Sequence, residues 1–209
     1  MAIICPTVTA SDAHDFRTQM EQVEPLSRRI HIDLSDGLFA PRKLVDLHKI
    51  WWSPRHQADL HLMYRRPLQH IEWLVIQRPS LVIVHAEAEG DFRQLATALA
   101  KHQIKVGVAL LPPTPVQKIT AALNLIDHLL IFSGNLGYQG GSRADLNLLA
   151  KAHALKSLKP DIELGWDGGV NDQNVHQLTI EGIDVINAGG YISRSANPAD
   201  AYAKLKAQT

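Results

Sequence analysis

Eight short apolar runs, each separated from the next by a longer amphipathic stretch, predict an α/β chain folded as a (β/α)8 barrel. Two further observations support that class. The units recur about every 25 residues with no long linker or break in composition, the spacing of a minimal barrel. A Gly-x-Gly-x-x-Gly turn, which a doubly wound dinucleotide-binding sheet would carry after its first strand, is missing. Residues 1–209 therefore read as a single barrel domain.

Taken in order, the predicted strands are Ile3–Thr7, Arg29–Leu34, Ala58–Leu62, Leu81–His85, Lys105–Leu110, His128–Ser133, Ile162–Asp167 and Val185–Ala188, each a short run of mainly bulky apolar residues. Ser11 is placed to cap a first helix running to Val23. Leu44–Trp51, Leu68–Gln77, Phe92–His102 and Arg143–Ser157 follow as amphipathic stretches. Thr114-Pro115 offers a cap and an N1 proline before Val116–Leu123, and Asn197-Pro198 does the same before Ala199–Lys206. Asn171 is placed to cap Asp172–Glu181, which stops at Gly182.

Composition removes several function classes. With 21 basic and 21 acidic residues the chain lacks the basic footprint of a nucleic-acid or membrane-surface binder. A single cysteine, Cys5, rules out an intrachain disulfide and a cysteine-based zinc site. No apolar run approaches the ~18 residues of a membrane span, and the start has no basic-then-apolar leader, so a cytoplasmic protein is expected.

Chemistry concentrates at the strand ends, where barrels of this class keep their active sites. Side chains alternate along a strand, so His31 and Asp33 share the face opposite Ile30, Ile32 and Leu34. Asp59, His61 and Met63 share a face in the same way, and so do Glu163, Gly165 and Asp167. A His-Asp pair on one face is either a buried hydrogen bond or two ligands of a divalent metal. His31, Asp33, His61 and Asp167, converging from three strand ends, favour the metal. Their mixed N/O set suits Zn²⁺, Fe²⁺, Mn²⁺ or Co²⁺ better than Mg²⁺ or Ca²⁺. Asp59, Glu87 and His85 are candidates to hold the ligating imidazoles from behind. Glycines mark the late loops, at Gly134 to Ser142, Gly168-Gly169 and Gly189-Gly190, where barrels often bind phosphate through backbone N–H groups.

These residues resemble the ribulose-phosphate 3-epimerase family over almost the whole chain. The likeness runs through Cys5-Pro-Thr-Val, His31-Ile-Asp33-Leu-Ser-Asp36-Gly37-Leu-Phe-Ala-Pro41, His61-Leu-Met63, Val84-His85-Ala-Glu87, Pro113-Thr114-Pro115, Asp167-Gly168-Gly169 and Ala188-Gly189. The resemblance implies a ribulose-phosphate-binding barrel in which His31, Asp33, His61 and Asp167 bind one divalent metal and Asp33 and Asp167 act as acid and base. It places Thr7 where the family has a substrate-contacting serine. Gly137, Tyr138, Gln139, Gly140, Gly168, Gly169, Gly189 and Gly190, with His61, would complete the substrate site. It also implies an isomerase of the pentose phosphate pathway and leans toward a homo-oligomer, for which Trp51-Trp52 offers an apolar pair that could equally fill a helix-to-barrel contact.

The chain departs from the family pattern around that site. Ser35 and Phe132 stand where the family has methionines, Gly134, Leu136 and Gln139 alter its Ser-Val-Asn-Pro-Gly-Phe-Gly-Gly loop, and Gly190 replaces a serine. Arg42-Lys43-Leu44-Val45 replaces the family's Asn and Gly-Pro turn after Pro41. The reaction expected is two-base proton transfer at C3 of a ketose phosphate through an enediolate stabilised by the metal, interconverting D-ribulose 5-phosphate and D-xylulose 5-phosphate. The alternatives are a hexulose phosphate such as allulose 6-phosphate, and a sugar-phosphate-binding barrel without turnover. A related decarboxylase would carry Asp-x-Lys-x-x-Asp, and Asp33-Leu-Ser-Asp36 has no lysine.

Overall fold

The computed structural model describes residues 1–209. Eight parallel strands close into a barrel in chain order, β1 (Ile3–Val8), β2 (Arg29–Ser35), β3 (Gln57–Met63), β4 (Leu81–His85), β5 (Lys105–Leu110), β6 (His128–Phe132), β7 (Glu163–Asp167) and β8 (Val185–Ala188), with β8 pairing back onto β1. Each predicted strand is found to within one residue at either end. The α-helices are α1 (Ala13–Val23), α2 (Ile71–Gln77), α3 (Phe92–Lys101), α4 (Leu149–Leu158), α5 (Val175–Ile180), α6 (Gly190–Ser193) and α7 (Pro198–Lys206). None is long and apolar enough to cross a membrane.

Alternation sorts the strands into two faces. Outward, Ile30, Ile32 and Leu34 of β2 and Leu60 and Leu62 of β3 pack with Phe16 and Met20 of α1 and Leu74 of α2. Each such side chain contributes about 1.5–3 kcal/mol on burial, which is what holds the helical layer to the barrel. Trp51 sets its ring edge-on to Phe16 at 6.0 Å yet stays 42% exposed, while Trp52 packs against the same core.

Inward, Leu81, Ile83, Ala109 and Leu130 form an apolar plug. Much of the rest is polar. At the N-terminal end Arg29 donates from Nε to Asp59 at 2.7 Å and from both terminal nitrogens to Glu163 at 2.8 Å, while His128 Nδ1 lies 2.7 Å from Glu163. Gly165 leaves room for that imidazole, since a Cβ there would stand 2.8 Å from His128 Cε1 and 2.9 Å from Leu130 Cδ1.

Several connections differ from the periodicity's expectation. Instead of a helix over Leu44–Trp51 there is a single 3₁₀ turn, Leu47–Lys49, capped by Asp46. Leu44 N and Val45 N are tied to Ser35 O and Ala10 O, which holds the chain extended over the barrel mouth. Val116–Leu125 forms 3₁₀ turns with no side-chain cap, and the Thr114 hydroxyl turns instead to Glu87. Asp12 rather than Ser11 caps α1, accepting from His14 N and Asp15 N. Asn171 accepts from Gln173 N in a preceding turn, and α5 begins only after Asn174. Asn197 caps α7 as expected.

Candidate active site and metal centre

Register brings the site together. Parallel pairing sets His31 beside Asp59 and Asp33 beside His61, all four facing inward, and Phe132 pairs with Asp167 on the other side of the mouth. One ligating atom from each of His31, Asp33, His61 and Asp167 lies within 4.8 Å of the others, and all four residues are buried. His61 Nδ1 is 2.9 Å from Asp33 Oδ1 and 3.9 Å from Asp167 Oδ2, and His31 Nε2 is 3.3 Å from Asp33 Oδ1. That last contact is poorly aligned, and both His31 ring nitrogens are left without a hydrogen-bond partner.

Burying an imidazole with no partner is costly. Two nitrogens and two carboxylate oxygens converging on one point would repay that cost by ligating a cation, and the residues present fit a divalent metal that accepts mixed N/O donors.

The electrostatics are asymmetric. Burial pushes Asp167 up to about 7, with the nearby Asp33 charge adding to the effect. Burial acts on Asp33 in the same sense, but the nearby His31 and His61 imidazoles, the latter hydrogen-bonded to it, hold it well below the carboxylate range. Thr9 fixes the other Asp33 oxygen, donating to Oδ2 at 2.7 Å. Burial lowers His61 to about 4.

Behind His61 stands a relay. Its Nε2 is 2.9 Å from His85 Nε2, and His85 Nδ1 is 3.5 Å from Glu87 Oε2. Of the three candidates to back the imidazoles, His85 contacts His61 directly, Glu87 acts one residue removed, and Asp59 turns to Arg29 instead.

Above the cluster opens a cavity of about 190 Å³. Asp33 and Asp167 reach it, as do Thr7, Gly137, Tyr138, Gln139, Gly140, Gly168, Gly169, Gly189 and Gly190, whereas His31 and His61 lie beneath its floor. Gln139 donates to Thr7 O at 3.0 Å, so the altered loop packs down onto β1. Gly168, at φ +115°, sits where a Cβ would stand 2.7 Å from Gly134 Cα, which is how the β6 and β7 loops approach so closely. The sequence reading missed Thr9, Asn187 and Arg194, which also line the cavity. Alternation along β8 places Asn187 on the Val185 face and would have found it; Arg194 lies beyond the strand and carries no such signal.

The model of the ribulose-phosphate 3-epimerase family matches residues 3–193. The ribulose-phosphate 3-epimerase of Helicobacter pylori (strain J99) is 29% identical over 189 residues, covering 87% of each chain. That of Bacillus subtilis is 25% identical over 215 residues, covering 99% of each. Among solved structures, 3-hexulose-6-phosphate synthase from Salmonella typhimurium superposes with a TM-score of 0.72 at 14% identity, covering 98% of this chain and 97% of that one. The 3-keto-L-gulonate-6-phosphate decarboxylase of Vibrio cholerae gives 0.69 at 15%, covering 99% and 96%. At such identities the structures share the fold.

Proposed function

We propose that this chain, which belongs to the ribulose-phosphate 3-epimerase family and is an epimerase of the isomerase class, inverts C3 of a ketose phosphate, with D-ribulose 5-phosphate and D-xylulose 5-phosphate as its pair. The observation that carries this reading is the convergence of two carboxylates and two imidazoles at the floor of a cavity rimmed by glycine loops.

Inversion beside a ketone removes a proton from one face of C3 and returns one to the other, so two groups must flank the carbon. Asp33 on β2 and Asp167 on β7 fill those roles, one accepting the proton as the C–H electron pair moves into the C2–C3 bond and the C2=O π pair moves onto the oxygen, the other donating to the opposite face as those electrons return. In the reverse direction they exchange parts. Thr9 donates to one Asp33 oxygen and His61 engages the other, which fixes the carboxylate at the floor of the cavity. His31, Asp33, His61 and Asp167 would hold the divalent cation, which supplies Lewis-acid polarisation of the ketone when bound. Backbone N–H groups of the loops at Gly137 to Gly140, Gly168-Gly169 and Gly189-Gly190 receive the phosphate.

A second reading keeps the chemistry and lengthens the sugar. An open groove lined by Pro41, Pro112, Pro113 and Leu136 shares Phe132, Gly134, Asn135 and Tyr138 with the cavity, so a hexulose phosphate such as allulose 6-phosphate finds room there. Turnover of the two sugars by the metal-loaded protein tests the choice. A higher kcat/KM on ribulose 5-phosphate supports the first reading, a higher value on allulose 6-phosphate the second, and turnover of neither removes both.

A further inference from the structure

We propose that Arg194 is the cationic ligand of the substrate's phosphate and sets the preference for phosphorylated over free sugars, an inference that rests on the epimerase reading above. Arg194 is the one cationic side chain lining the cavity, whose two anionic side chains are Asp33 and Asp167 at the floor. The site is therefore polarised, with negative charge where the carbon chemistry occurs and positive charge at the rim.

The guanidinium is free to act on a ligand. Its single hydrogen bond within the protein runs from Nε to Gly190 O at 3.3 Å, and no carboxylate lies within salt-bridge distance. Both terminal nitrogens keep all their donors unspent. Its place is made by glycine on both sides. A Cβ at Gly190 would stand 2.8 Å from Arg194 Nη2, and one at Gly140 would stand 2.6 Å from Cζ. The guanidinium thus lies between the β6 and β8 loops, against the glycine backbone to which the proposed function assigns the phosphate. Its planar fork matches two phosphate oxygens at once.

The test measures equilibrium binding of ribulose 5-phosphate and of free ribulose by calorimetry to the wild type, Arg194→Ala and Arg194→Lys, with turnover followed in parallel. Arg194 is exposed, so the fold should survive, and thermal melts check it. The expected result is a Kd for ribulose 5-phosphate about 10- to 100-fold higher in Arg194→Ala, the cost of a lost charge-assisted pair. The lysine variant falls between, binding of ribulose is unchanged, and KM rises while kcat holds within about threefold. Unchanged ribulose 5-phosphate affinity in Arg194→Ala, or equal loss for both sugars, overturns the inference. Wild-type protein that binds ribulose 5-phosphate through Arg194 without epimerising it removes the epimerase reading and keeps this one.

Discussion

His61 Nε2 and His85 Nε2 stand 2.9 Å apart in the barrel interior, so one of these two nitrogens carries a proton and the other a lone pair. Glu87 Oε2 lies 3.5 Å from His85 Nδ1 without hydrogen-bond alignment, so the nearer Asp33 decides which nitrogen carries the proton. His61 Nδ1, 2.9 Å from the acceptor-only Asp33 carboxylate, donates to it, so a neutral His61 accepts at Nε2 from His85; a cation held at Nδ1 would move that proton to Nε2 and reverse the bond. His85 is in this way placed to orient the His61 imidazole.

Replacing His85 with alanine should weaken divalent-cation affinity about 10- to 100-fold, the usual effect of removing a group behind a ligand. Competition with a chromogenic chelator reads this without any assay of turnover. Affinity equal to that of the wild type would show that His61 holds its orientation unaided.

Asp33→Asn and Asp167→Asn should each lower kcat by at least about 10²- to 10⁴-fold, the contribution of a positioned acid or base. Circular dichroism would confirm that the barrel persists. A variant keeping more than a tenth of the wild-type rate would remove that residue from proton transfer.

The ion cluster at the other end of the barrel makes a prediction about acid stability. Burial acts to raise Glu163, but hydrogen bonds from Arg29 and His128 hold it far below the carboxylate range. A carboxyl group depressed by folding stabilises the native state above its unfolded pKa of about 4.3 and loses that contribution as pH falls toward its folded value. Glu163→Gln should therefore melt below the wild type at pH 7, and the gap should begin to narrow as pH falls below about 4. A gap independent of pH would assign the loss to packing.

Gly168→Ala should destabilise the protein by about 1–3 kcal/mol, because the new Cβ meets the backbone of Ser133 and Gly134 at a positive φ. Urea melts measure it. A neutral result would mean that the β6 loop can retreat from β7.

The strands and the convergence of the four candidate metal ligands were legible because one rule governs both. Period-two alternation that makes Ile30, Ile32 and Leu34 a core face necessarily turns His31 and Asp33 inward, and closure of the barrel then brings β2, β3 and β7 together. The connections were less legible. Leu44–Trp51 and Val116–Leu123 have helical spacing, yet backbone ties to Ser35 and Ala10 in the first and the diversion of Thr114 to Glu87 in the second override it. The Arg29–Glu163 pair joins residues 134 apart, a distance over which local pattern carries no information. Thr9 and Arg194 escaped for the same reason, since what defines each is a partner brought near only by the fold.

The central claim, that two carboxylates exchange the C3 proton with solvent across an enediolate, is tested most directly by running the metal-loaded enzyme on ribulose 5-phosphate in D₂O and reading C3 by NMR. Deuterium at C3 of the xylulose 5-phosphate formed, with incorporation abolished in Asp33→Asn and Asp167→Asn, is the result predicted. Product that reaches equilibrium with its original proton still at C3 would contradict it.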